Sequence, residues 1–277
     1  MRTYIEQDQD YLKMTADGKI GLVATIDDEG EPHISFLSSL QPISGDTLTV
    51  GQFCEGLSKR FFKERTKIGF LFFTAQMEIW HGRADYFQTK TIGPEFDMYN
   101  NKPLFRYNTY FGIGQVHYFK LKDISEKTVL TMGGIVKGAL ATRIAAPFQT
   151  RSRKHILNVH AKRMFSQIDG LKYIAYIDAD GYPVITPVIQ AANAGSDRIV
   201  FLGTPFHDEI KNIPSPIKAA ILFANLKMES VLVKGTYHAI KGLIPIGRLD
   251  IERVYNSMPP FAGYIYPEQP IRKVEVF

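Results

Sequence analysis

The chain repeats itself, and that repeat constrains its fold more than any single motif does. Displaced by 151 positions, residues 24–35 fall on residues 175–186 with six of twelve positions identical. The identities are Ala24/Ala175, Ile26/Ile177, Asp27/Asp178, Gly30/Gly181, Pro32/Pro183 and Ile34/Ile185. Without a gap, the same offset pairs Asp46 with Asp197, Leu48 with Ile199, Val50 with Phe201, Leu71 with Leu222 and Phe72 with Phe223. A chain of 277 residues has room for two ordinary domains, and the repeat says that they share one plan.

Each copy reads as a β meander. Residues 20–26 and 171–177 are apolar runs of strand length. Asp27-Asp28-Glu29-Gly30 and Asp178-Ala179-Asp180-Gly181 then supply hairpin turns, with glycine free to take positive φ. A proline opens the following strand in each copy, where a missing N–H is tolerated. Further strands are expected near 46–51, 67–74, 77–87 and 113–122, and near 198–203, 217–225 and 229–240. A short helix is expected over 56–65, with its counterpart at 207–212. Short strands with one helix, repeated, predict a mainly β fold with helices: two small antiparallel barrels in tandem, since closure removes exposed sheet edges. The first barrel would span 1–132, a helical connector 133–168 and the second barrel 169–277.

Composition narrows the class. Hydrophobic residues make up 45% and charged residues 22%, which fits a folded globular chain and excludes wholesale disorder. The densest apolar run, residues 68–73, is of strand length, far short of a spanning helix. The polar start, Met1 to Asp8, is unlike a signal peptide, so a cytoplasmic protein is expected. Cys54 is the single cysteine, which excludes an internal disulfide and a multi-cysteine metal site. The net charge of +5 is mild and fits a phosphorylated small-molecule ligand, with no signature for specific nucleic-acid binding.

The helical stretch at 56–65 holds the most chemistry. Ser58 and Lys59 stand in its opening turn, just after a strand end. Backbone N–H groups, a hydroxyl and an ammonium so placed form an anion site suited to a phosphate. An ordinary capping serine beside a solvated lysine would give the same pattern.

The order of these elements resembles the pyridoxamine 5'-phosphate oxidase-like family of FMN-binding split barrels. The resemblance rests on Gly21 to Ser35, on Ser58-Lys59 before Lys67 to Phe72, and on Trp80-His81-Gly82-Arg83-Ala84. It covers residues 15–122 well and 170–240 more weakly. It implies FMN at an interface between two barrels, with the phosphate held by basic and hydroxyl side chains. Carried over by position, His33, Ser35, Phe36, Ser38 and Ser39 are offered to the flavin. Gln52 and Phe53 lie close to the phosphate, Ser58 and Lys59 hold it, and Arg83 reaches it across the barrel. As plain structure, His33 is the polar face of a strand and Arg83 an exposed strand residue.

The second copy departs from this pattern. Val184, Ile189 and Gln190 stand opposite His33, Ser38 and Ser39, and Glu209 stands opposite Ser58. A carboxylate would repel a phosphate, and Lys211 only partly restores the basic element. The second barrel is therefore expected to complete one flavin site and not to repeat it.

Other candidates are thinner. Arg106, Tyr107 and Asn108 lie in an aromatic-rich stretch and are the residues most suited to face a substrate. The basic run from Arg151 to His155 fits a solvated face or linker. His155 and His160 are badly spaced for metal ligation, and Cys54 reads as a small packing residue near a strand end. No hydrolase triad signature or glycine-rich nucleotide loop is present in the sequence.

Taken together, the sequence points to an FMN-dependent oxidoreductase in which the flavin carries the redox chemistry and no side chain need be an acid or base. NAD(P)H and a small redox substrate are the expected partners, and a symmetric dimer is expected. A non-enzymatic flavin or haem binder, or a deazaflavin-dependent reductase, would use a similar scaffold.

Overall fold

A computed structural model describes residues 1–6, 8–53, 56–102, 112–150, 154–203, 207–225, 229–241, 245–256 and 262–270. The first half holds α1 (Gln9–Thr15), β1 (Ile20–Ile26), β2 (Pro32–Phe36), β3 (Gln41–Ser44), β4 (Thr47–Gln52), α2 (Leu57–Glu64), β5 (Lys67–Phe73), β6 (Glu78–Lys90), α3 (Pro94–Asn101), β7 (Gln115–Ile124) and β8 (Thr128–Val129). Next come α4 (Met132–Ala145), a 3-10 turn (Ala146–Gln149) and α5 (Val159–Phe165), so the stretch between the two sets of strands is helical. The second half holds β9 (Leu171–Ile177), β10 (Pro183–Pro187), β11 (Ala192–Asn193), β12 (Arg198–Leu202), α6 (His207–Lys211), β13 (Ile217–Ala224), β14 (Ser230–Ile240), β15 (Ile246–Asn256) and β16 (Gly263–Tyr266).

Two eight-stranded sheets result. One runs β2-β1-β5-β6-β7-β4-β3, with β8 on β6, and the other runs β10-β9-β13-β14-β15-β12-β11, with β16 on β15. Strand by strand the two paths are the same, which is the tandem split-barrel fold. The offset of 151 carries β1 onto β9 and β2 onto β10 residue for residue. It also carries the bulge in β6 between Arg83 and Ala84 onto the one in β14 between Lys234 and Gly235.

Local chemistry explains the elements. Gly30 (φ 76°) and Gly181 (φ 79°) close the two hairpin turns, each donating its N–H to the aspartate three residues back, Asp27 and Asp178. Both glycines sit in the left-handed region, which costs other residues free energy. In α1 the Asp8 carboxylate accepts the N–H groups of Asp10 and Tyr11, satisfying donors that the helix leaves open.

By compactness the chain divides into two units. The first comprises Met1–Gly30, Ser35–Val129 and Asp178–Ile185; the second comprises Glu31–Ile34, Leu130–Ile177 and Thr186–Phe277. The core of the first gathers Val23, Leu48, Phe62, Phe70, Phe72, Trp80 and Phe119, all fully buried. Taking each such aromatic ring out of water contributes about 2–3 kcal/mol. In the second, Phe165, Tyr173, Phe201, Phe223, Tyr237 and Tyr255 are buried to 2% exposure or less.

Segment Asp178–Ile185 is bound into the first unit by a charged cluster. Arg83 donates through Nε to Asp123 (3.0 Å) and through Nη1 to Asp178 (2.9 Å) and Asp180 (3.0 Å). The Tyr182 hydroxyl donates to Asp85 (2.9 Å), and Lys67, Arg83 and Lys122 all lie within 5.3 Å of its ring centroid. Among the described residues no helix is long and apolar enough to cross a membrane.

Candidate functional site

Strand β4 delivers the chain to α2, and the site forms where they meet. Leu48 and Val50 bury the middle of β4, and β7 pairs along it with Val50 opposite His117 and Gln52 opposite Gln115. Gly56 caps α2 with extended backbone and no side-chain hydrogen bond. In the first turn Ser58 and Lys59 are both buried, at 2% and 8% exposure. The Lys59 ammonium folds back over the cap, 3.3 Å from where a Cβ on Gly56 would stand.

That arrangement places positive charge at the start of the helix. The amino end of a helix carries partial positive charge, which favours carboxylates and disfavours ammonium groups. α2 has no acidic residue in its first turn. A buried lysine there adds cation to cation, a donor set suited to an anion.

Behind the helix start lies a polar chain. His117 Nε2 is 2.7 Å from Gln52 Oε1, its Nδ1 is 2.8 Å from Thr89 Oγ1, and Thr89 Oγ1 is 2.7 Å from the Tyr86 hydroxyl. One proton order satisfies all three contacts: Tyr86 donates to Thr89, Thr89 to Nδ1, and Nε2–H to Gln52. The imidazole is then neutral. Burial, with Lys63 and Lys59 nearby, pushes its pKa down to about 3. Phe62 of α2 packs edge-on against the ring at 4.9 Å, tying the helix to the network.

A second polar group braces the other side of β4. The Tyr99 hydroxyl donates to Ser39 O (2.7 Å) and meets Thr49 Oγ1 at 2.8 Å, while Ser39 Oγ donates to Gly51 O (2.8 Å). Burial raises the Tyr99 pKa, so the phenol keeps its proton.

The residues expected from the sequence are distributed as follows. Gln52, Phe53, Ser58 and Lys59 flank the β4–α2 connection, and Ser39 reaches the same strand through Gly51. Ser35 and Phe36 lie half-buried on β2, and Ser38 lies half-buried in the turn after it. Arg83 is held by Asp123, Asp178 and Asp180. His33 belongs to the second unit, where it is buried and meets Tyr255 edge-on at 4.9 Å. Arg106, Tyr107 and Asn108 lie outside the described residues, as do Cys54 and Arg151 to Arg153.

Tyr99 belongs to the aromatic-rich stretch that the sequence marks, whereas His117, Thr89 and Tyr86 went unread. No local pattern marks them, because His117 meets Gln52 only through the pairing of β4 with β7.

In the second unit α6 is shorter than α2, and Glu209 stands in its first turn. A carboxylate there matches the helix dipole without a ligand.

No protein-family model matches the chain, and no curated protein matches it. Solved structures do. HupZ of Group A Streptococcus is 15% identical over 43% of this chain and 92% of its own, with a TM-score of 0.36. An FMN-binding protein from Syntrophomonas wolfei subsp. wolfei is 18% identical over 45% of this chain and 90% of its own, with a TM-score of 0.35. An F420 reductase is 14% identical over 44% of this chain and 98% of its own, with a TM-score of 0.34.

Proposed function

We propose that this protein binds FMN and works as an oxidoreductase on a small-molecule substrate, with NAD(P)H as the electron donor. The observation that carries the reading is the buried Lys59 in the acid-free first turn of α2. Ser58 and Lys59, with the backbone N–H groups of the turn, would hold the FMN phosphate. The order of motifs around them, from the Gly30 turn to Gly82-Arg83-Ala84, supports a flavin over other phosphorylated ligands.

When bound, the flavin would supply the redox chemistry. The chain's own part is to position it. Lys59 would neutralise phosphate charge, Gln52 is oriented by His117, and the β4–β7 pairing holds the strand end against which the ligand would lie. His117 stays neutral and acts here as a positioning residue.

Titration of the purified protein with FMN tests the reading. Binding of one equivalent per chain, with a flavin absorption spectrum bleached by NADH or NADPH, is the expected result. A Soret band and no flavin uptake would replace FMN by haem. Flavin uptake without turnover of any acceptor would leave a binder and remove the enzyme.

A further inference from the structure

The second unit has a cavity beside the position that corresponds to His117 of the first. In the first unit His117, paired with Val50 across the sheet, projects its ring against Phe62 and Thr89. In the second, Gly247 takes the place of His117: it pairs with Phe201, which the offset of 151 aligns with Val50. Ala239 faces Gly247 where Thr89 faces His117. Imidazole and hydroxyl are thus lost together, and α6 is five residues long against eight for α2.

The cavity is 310 Å³, lined among others by Ile210, Tyr237, Ile240 and Ile246, with Lys211 and Lys241 also in its wall. Interiors normally close such gaps, because unfilled space forfeits dispersion contacts. A side chain at position 247 is blocked by another side chain: a Cβ on Gly247 would stand 2.4 Å from the Phe201 ring, which is stacked on Tyr237. Ile210 and Tyr237 are buried and give an apolar floor, whereas both lysines are exposed. No carboxylate among the described residues pairs with either ammonium. An apolar floor and two cationic groups match a molecule with an apolar body and one anionic end.

We propose that this cavity of the second unit binds a small apolar carboxylate, body against Ile210, Tyr237 and Ile246, carboxylate toward Lys211 and Lys241. The site is separate from the β4–α2 site of the first unit and does not depend on FMN.

Calorimetric titration of the full chain with octanoate, and in parallel with octanol, tests it. Octanoate should bind at one equivalent per chain, about tenfold or more tightly than octanol, since the alcohol lacks the charge-assisted contacts. Lys211→Gln/Lys241→Gln should abolish the preference while octanol still binds. Ile240→Phe, which fills the cavity, should remove both ligands at an unchanged thermal midpoint. The inference is overturned if octanoate does not bind, binds at several equivalents, or binds equally well to the double lysine variant. Should Ile240→Phe fail to fold, the octanoate-to-octanol ratio in the lysine variant still decides.

Discussion

Nε2 of His117 stands 2.7 Å from Oε1 of Gln52, joining the start of β7 to the end of β4 just before the chain enters α2. That bond ties a polar side chain at the end of β4 to a ring that burial keeps neutral at physiological pH.

Acid should therefore destabilise the protein through this ring. The pKa of His117 falls from an ordinary 6.5 to about 3 in the folded chain, chiefly through burial. Below about pH 6.5 the unfolded chain takes up a proton that the folded chain refuses. Stability is then lost as pH falls, at up to about 1.4 kcal/mol per pH unit, until the folded value near 3 is reached. His33, buried beside Tyr255 and near Lys234, shifts in the same direction. Denaturant unfolding between pH 7 and 4 should give His117→Gln a slope shallower by close to one proton than that of the parent.

Lys59 is the key test of the phosphate site. Lys59→Ala should weaken FMN binding by roughly 10- to 150-fold, the worth of a charge-assisted hydrogen bond. Ser58→Ala should cost less, since one neutral hydroxyl is lost and backbone donors remain. Lys211→Ala should leave FMN affinity unchanged, because Glu209 makes the second helix start a poor phosphate site. Equilibrium titration of the three variants checks the ranking.

Arg83 should matter for stability above all. Arg83→Met strands the carboxylate of Asp123, whose side chain is 9% exposed, and should cost about 3 kcal/mol. Asp180→Asn should cost under about 1 kcal/mol, because that carboxylate is 67% exposed. Arg83→Met/Asp123→Leu should recover most of the loss. Thermal midpoints of the variants read the differences.

Gly69→Ala should be poorly tolerated for a reason that no strand pattern shows. A Cβ at Gly69 would come within 2.1 Å of Pro183 O, a backbone atom with little freedom to move. A cost of about 1–3 kcal/mol is expected. Gly18→Ala, with nothing within 4 Å of its Cβ position, is the control and should change chemical-denaturation midpoints little.

Much of the fold was legible because it depends on local pattern. The strands β1, β2, β9 and β10 lie where the apolar runs, the acidic glycine turns and the prolines place them. β15 was readable yet passed over: Leu249 and Ile251 alternate with Arg248, Asp250 and Glu252, the mark of a half-buried strand. Helices α1 and α3 are too short to be marked by periodicity and depend on Asp8 and on the Gly93-Pro94 start.

The sequence by itself determined the repeated meander and the Ser58-Lys59 pair at a helix start, since turn chemistry, alternation and capping act between residues close in the chain. Only the tertiary structure decided that Lys59 is buried, that His117 meets Gln52 across 65 positions, and that Arg83 is shared by three carboxylates. It alone decided, too, that Gly247 lies under the Phe201 ring at the position where the first unit carries His117. Strand pairing brings together residues whose separation along the chain carries no signal, and burial then sets their charge states. Local chemistry wrote the elements, and long-range register chose which side chains share a site.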